Sequence, residues 1–204
     1  MSLTPRCVPG GCFAAIVLVV TTTSCHRVRQ LLATAVGLAA YAASIASAES
    51  IALSVGYAEQ TNIFGIAAVW DANSPLIDRN TWRITGHIEL DVMDLQGRRS
   101  NTGGYQSLGA IGVAPTARFE WTKDGYAPFI DAGVGINFLS HTRLQEEQQF
   151  GIALQFGEFL GTGLRFGQSG AYEIGVRLQH MSNANIKVPN DGITLGVVRV
   201  AYHF

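Results

Sequence analysis

From Ser50 onward the chain alternates apolar and polar positions with a period of two, the signature of β-strands rather than helices. The clearest stretch is 81–92. There Trp82, Ile84, Gly86, Ile88, Leu90 and Val92 share one face, and Arg83, Thr85, His87, Glu89 and Asp91 the other. In 105–121, Gly109, Ile111, Val113, Ala117, Phe119 and Trp121 lie opposite Thr116, Arg118 and Glu120, with Pro115 marking a bulge or local break because it lacks a ladder donor. In 127–139, Ile130, Ala132, Val134, Ile136 and Phe138 oppose Asp131, Gly133, Gly135 and Asn137. The same reading gives strands over 50–58, 62–70, 150–166, 171–182 and 193–204, eight in all. Turn signals separate them at 72–75, 123–125, 167–170 and 189–192.

These runs are longer than the roughly 5–6 residues usual in globular proteins and match the 9–11 or so that a membrane β-strand needs. The apolar rows carry almost no charge. Aromatic residues gather near strand ends (Trp70, Trp82, Phe119, Trp121, Tyr202, Phe204), as in the girdles of membrane barrels. A soluble lipocalin-like barrel would instead turn its apolar rows inward and present lysine and glutamate outside. The expectation is therefore an all-β, eight-stranded antiparallel transmembrane β-barrel of the Gram-negative outer membrane. Glu89, Asp131, Glu173, Arg165, Arg177 and Arg199 would form an interior network, with His87 and His203 interior or at the rim. An even strand number puts both ends on the periplasmic side, and the last strand closes on Phe204.

The first 48 residues are of another kind. Arg27, Arg29 and Gln30 precede an apolar run from Leu31 to Ile45, and Ala46-Ser47-Ala48 fits a signal-peptide cleavage site, so 1–48 reads as a leader and 49–204 as one barrel domain. Segment 1–26 has its own apolar run and all three cysteines (Cys7, Cys12, Cys25), which suits a start codon placed too far upstream or a long leader. Thr22-Thr23-Ser24-Cys25 fits a lipoprotein box poorly, because the usual Leu is missing. The domain after the cleavage site has no cysteine, and 11 Lys+Arg against 15 Asp+Glu give it a net charge of about -4. With no basic stripe and no zinc spacing, nucleic acid is not a partner.

One polar pair interrupts the outward row Tyr172, Ile174, Val176, Leu178: it continues as His180 and Ser182. Polar groups on a lipid-facing row are costly unless used. Residues i and i+2 of a strand share a face, so His180 can approach the Ser182 hydroxyl and act as its base. Structurally, the same two residues could simply hydrogen-bond in the interfacial zone, with Ser182 and Asn183 opening the loop.

The stretch from His180-Met181-Ser182-Asn183 to Pro189-Asn190-Asp191-Gly192-Ile193, together with Ala127–Gly135 and Phe156–Gly167, resembles the PagL family of outer-membrane lipid A 3-O-deacylases; the resemblance spans about 50–204. It implies Ser182 as nucleophile and His180 as general base, with the Asn183 side chain and the Asn185 backbone N–H stabilising the oxyanion. It also implies lipid A (lipopolysaccharide) as substrate in a bed of outer-membrane lipid, and no metal or organic cofactor. Where the family places an acid, this chain has Thr194. Three readings stay open. Thr194 orients His180 in a slower enzyme; Glu158 or Asp191 substitutes as the acid; or the barrel is catalytically weak or silent. An outer-membrane phospholipase is a further alternative. Lys187 meets a lipid phosphate or stands as a solvated loop lysine. A homodimer is left open.

Overall fold

The computed structural model describes residues 48–58, 60–99, 103–121, 125–145 and 148–204; the leader expected over 1–48 lies outside them except for Ala48. Among the described residues there are nine strands in chain order: β1 (Ser50–Ala58), β2 (Thr61–Asp71), β3 (Ile77–Asp78), β4 (Trp82–Arg98), β5 (Tyr105–Trp121), β6 (Tyr126–Leu139), β7 (Leu154–Phe166), β8 (Tyr172–Ser182) and β9 (Ile193–His203). Eight of them form the wall. Each pairs antiparallel with its neighbour, β2 pairs with β4, and β1 closes on β9, with Ser50 opposite His203 and Tyr57 opposite Gly196. Closure leaves no sheet edge. The two-residue β3 pairs only with Arg83 and Ile84 at the start of β4 and extends the line of β2 beyond an excursion at 72–76.

Alternation decides the two faces. Leu53, Val134, Leu160 and Leu178 are exposed on the outside, the last three by more than 60%; a continuous apolar band of this kind is suited to lipid rather than water. Aromatic rings pack on one another around the end where β1 starts and β9 finishes: Trp82 stacks on Phe119 at 5.3 Å, Tyr172 lies tilted on Tyr202 at 5.6 Å, and Tyr202 meets Phe204 edge to face at 5.5 Å. The connections at that end after β4 are short (122–125 and 167–171). The opposite end carries the longest loops, 140–153 and 183–192, the asymmetry expected of periplasmic turns and extracellular loops.

The interior is divided along its length. Toward the start of β1 and the end of β9 it is ionic. Glu89 accepts hydrogen bonds from Arg177 (2.9 and 3.0 Å) and Arg199 (2.6 Å) and meets His87 at 3.1 Å. Arg118 donates to Asp131 (2.7 and 2.8 Å) and Glu173 (2.7 and 3.1 Å), and His203 lies 3.2 Å from Glu173. Two arginines also lie over rings, Arg118 over Phe129 at 3.8 Å and Arg177 over Phe159 at 3.7 Å. Gly133 makes room for Phe159: a Cβ there would stand 2.2 Å from the ring. Toward the loops the interior turns apolar. Leu95, Leu108, Met181 and Leu195 are fully buried, and Leu144 and Phe150 close the mouth from the 140–153 loop. Side chains therefore fill the barrel, as an eight-stranded one allows.

Three local expectations are corrected. The strand read over 81–92 runs on to Arg98, because beyond Val92 the faces exchange character: Met93 and Leu95 point into the apolar plug, and Asp94, Gln96 and Arg98 point out. The strand read over 150–166 starts at Leu154; Phe150 is a buried loop residue bridged to Asn190. Arg165 does not join the interior ion network; its Nε donates to the Gly170 carbonyl at 2.7 Å and holds the turn before β8. At Pro115 the β5–β6 ladder lapses between Val113–Ile136 and Thr116–Gly133, but the register is the same on both sides, a break without a bulge.

Candidate active site

The outward row of β8 places His180 and Ser182 at its loop end. Eight residue steps separate His180 from the Tyr172 girdle and ten separate Ser182. At about 3.4 Å per step and a tilt of about 40°, that is about 21 and 26 Å of height. A hydrocarbon band of about 25 Å thus ends between them.

Register supplies the neighbours. His180 stands opposite Glu158 of β7 on one side and Thr194 of β9 on the other, and Ser182 stands opposite Phe156. His180 Nδ1 lies 2.9 Å from Thr194 Oγ1. When Nδ1–H donates to that hydroxyl, the Nε2 lone pair is left free for a proton from serine. Gly192 (φ 62°) lies against the same ring: a Cβ there would come within 3.0 Å of Cε1 and 3.3 Å of Nε2. A residue with φ in this region and no room for a side chain is best served by glycine. The Ser182 hydroxyl is half-buried and forms no hydrogen bond with His180. Such contacts are commonly loose before substrate arrives.

Glu158 is an exposed carboxylate in an apolar setting. Phe156 and Leu160 flank it on its own strand, and Val134 lies opposite on β6. It shares the row of His180 but makes no hydrogen bond to it. Asp191, the other candidate acid, is engaged elsewhere: its Oδ2 accepts the Gln149 N–H at 2.8 Å and ties the 183–192 loop to the 140–153 loop. It is a loop tie and not a partner of His180.

The loop after Ser182 also departs from expectation at Asn183, which is fully buried. Its Nδ2 donates to the Lys187 carbonyl at 2.8 Å, its Oδ1 accepts the Lys187 N–H at 3.5 Å, and its own N–H donates to Asn190 Oδ1 at 2.8 Å. The Asn183 side chain is turned into the loop rather than toward the outer face. Ala184 (φ 52°) and Asn185 (φ 61°) follow in left-handed conformation, which costs an alanine about 1 kcal/mol or more. Asn185 Oδ1 accepts from Asn190 Nδ2 at 3.1 Å, and its backbone N–H donates to none of the described residues. From the sequence alone Asn190 and Gly192 read only as turn formers. Asn190 braces both loop asparagines, and Gly192 seats the imidazole. Among the described residues no cluster of His, Cys, Asp and Glu could hold a metal ion.

Known proteins resemble this barrel in sequence and in fold. The family model for lipid A 3-O-deacylase (PagL) matches residues 62–203. The chain belongs to the PagL family. It is 33% identical over 170 residues to the lipid A deacylase PagL of Pseudomonas aeruginosa, covering 81% of this chain and 93% of that relative. It is 36% identical over 84 residues to the lipid A deacylase PagL of Bordetella bronchiseptica, covering 41% and 44%. The crystal structure of the outer-membrane enzyme PagL superposes with a TM-score of 0.67 at 28% identity, over 76% of this chain and 99% of that one. The protein is an outer-membrane β-barrel of the lipid A deacylase type, and the apolar band described above is its lipid-facing wall.

Proposed function

We propose that the chain is a lipid A 3-O-deacylase that hydrolyses the ester-linked 3-hydroxyacyl chain at position 3 of lipid A, with Ser182 as nucleophile and His180 as general base. The reading is carried by one observation: His180 faces the bilayer rim on the same strand face as Ser182, with its Nδ1 held by Thr194. An ester at the boundary of acyl chains and sugar would meet Ser182 at that height.

In this cycle Ser182 Oγ attacks the ester carbonyl and His180 Nε2 takes its proton. The carbonyl oxygen becomes an oxyanion, for which the Asn185 N–H, without a partner among the described residues, is a donor. Collapse expels the sugar 3-oxygen, which takes the proton back from His180. A water activated by His180 then cleaves the acyl-serine and releases the 3-hydroxy fatty acid. Asn183 acts in this scheme as a brace for the loop and not as an oxyanion donor.

The acid of the family pattern is missing at Thr194. A carboxylate only accepts, so it fixes one imidazole tautomer; a hydroxyl either donates or accepts and so fixes neither. Thr194 therefore orients His180 with less bias, and in this reading Glu158, which stands opposite His180 on β7, is the carboxylate that assists it. A second reading, a barrel whose catalysis has weakened, is favoured by that same exchange. Mass spectrometry of lipid A from outer membranes containing wild type or Ser182→Ala separates them. Loss of one 3-hydroxyacyl group with wild type only supports the enzyme; intact lipid A with both, despite insertion, supports the weakened barrel.

A further inference from the structure

The segment Ile186-Lys187-Val188 projects from the β8–β9 loop beside the nucleophile. Ile186 and Val188 are 63% and 78% exposed, and neither belongs to the strand wall. Between them stands Lys187, exposed and in none of the salt bridges among the described residues, where it is the sole lysine. The nearby loop carboxylate, Asp191, is engaged with the Gln149 N–H.

The backbone beneath this finger is fixed. Asn183, the residue after Ser182, grips both the N–H and the carbonyl of Lys187. From the neighbouring loop Gly151 packs so closely that a Cβ there would stand 2.3 Å from the Lys187 carbonyl oxygen. The lysine stem therefore starts from a set place relative to Ser182, although its ammonium is free. Two aliphatic side chains around one unpaired cation, at the rim of a lipid-facing wall, complement an amphiphile with acyl chains below and an anionic group above.

We propose that Ile186-Lys187-Val188 is a lipid-docking finger: Lys187 binds a phosphate on the same sugar that carries the scissile ester, and Ile186 and Val188 rest on the acyl chains. The proposal rests on the lipid A reading of the site. It makes Lys187 a specificity determinant for phosphorylated glycolipid, separate from the groups that move protons.

The test uses the full barrel carrying Ser182→Ala, so that bound lipid is not consumed. Its affinity is measured in detergent micelles for lipid A bearing both sugar phosphates and for lipid A lacking the phosphate at position 1, with phosphatidylglycerol as a phospholipid control. The expected result is about five- to ten-fold tighter binding of the fully phosphorylated form. The preference is lost when Lys187→Ala is added, kept with Lys187→Arg, and weakened by high salt. Ile186→Ser with Val188→Ser lowers affinity for both lipid A forms alike. Equal affinities for the two forms, a preference that survives Lys187→Ala, or equally tight Lys187-dependent binding of phosphatidylglycerol would each overturn the proposal. Release of 3-hydroxy fatty acid by the wild-type chain is scored separately. Lys187-dependent binding without any release would sink the deacylase reading and leave the docking site standing.

Discussion

Replacing Thr194 by valine tests how His180 is oriented. Valine keeps the shape of threonine and suits a lipid-facing row, so the change removes little except the hydroxyl that lies 2.9 Å from Nδ1. A bond between neutral groups contributes about 1 kcal/mol net, or about five-fold in the population of the oriented ring. Thr194→Val should therefore lower kcat about five-fold with KM nearly unchanged. Thr194→Glu should act in the other direction. A charge-assisted bond is worth about 1–2 kcal/mol more than a neutral one, and a carboxylate also stabilises the imidazolium formed as serine is deprotonated. A gain of about 5- to 30-fold follows from that difference. The full value of a triad acid, about 10⁴ in a serine protease, would be reached only if no other group now assists. The assay is release of 3-hydroxy fatty acid from lipid A in micelles, normalised to the fraction of barrel that migrates as folded on an unheated gel. Wild-type turnover in Thr194→Val together with no gain in Thr194→Glu would refute an orienting role for this position.

Other expectations concern separate parts of the molecule. Glu158→Gln should reduce turnover about five- to ten-fold while leaving folding intact, and Thr194→Glu should restore it; a loss that Thr194→Glu does not repair would deny Glu158 a part in orienting His180. Gly192→Ala, which forces a Cβ against the imidazole at a φ of 62°, should cost at least ten-fold in kcat with the folded band retained, and unchanged kinetics would contradict the packing described. Glu89→Leu leaves Arg177 and Arg199 buried without their shared carboxylate and should destabilise the barrel by about 3–5 kcal/mol in urea unfolding from micelles. Leu195→Ala, in the apolar plug, should cost about 2–5 kcal/mol by the same measure, and a loss under 1 kcal/mol would mean that the plug is loosely packed.

Most of the wall was legible because one physical rule governs it: side chains alternate between lipid and lumen. That rule located seven of the eight wall strands to within a few residues and put His180 and Ser182 outside. It failed where the surroundings change along a strand. Past Val92 the outside becomes aqueous and the inside apolar, so the pattern inverts and β4 seems to end six residues early. Phe150 and Ile152 mimic an outward row, but Phe150 turns in to stop the barrel mouth. The candidate site was legible as a set of residues but not as a set of contacts. That Glu158 stands opposite His180 depends on the β7–β8 register, which the pattern on either strand alone does not contain. The direction of the Asn183 amide depends on a loop closed by Lys187 and Asn190. Neither Asn190 nor Gly192 carries a signal beyond that of an ordinary turn.

The central claim is that this barrel cleaves one ester of lipid A by way of Ser182. The direct measurement is the mass of lipid A recovered from outer membranes that start with fully acylated lipid A and contain equal amounts of inserted wild type or Ser182→Ala. The account predicts loss of a single 3-hydroxyacyl group with wild type and none with the variant. Loss of the same group with both, or of a phospholipid acyl chain in its place, would contradict it.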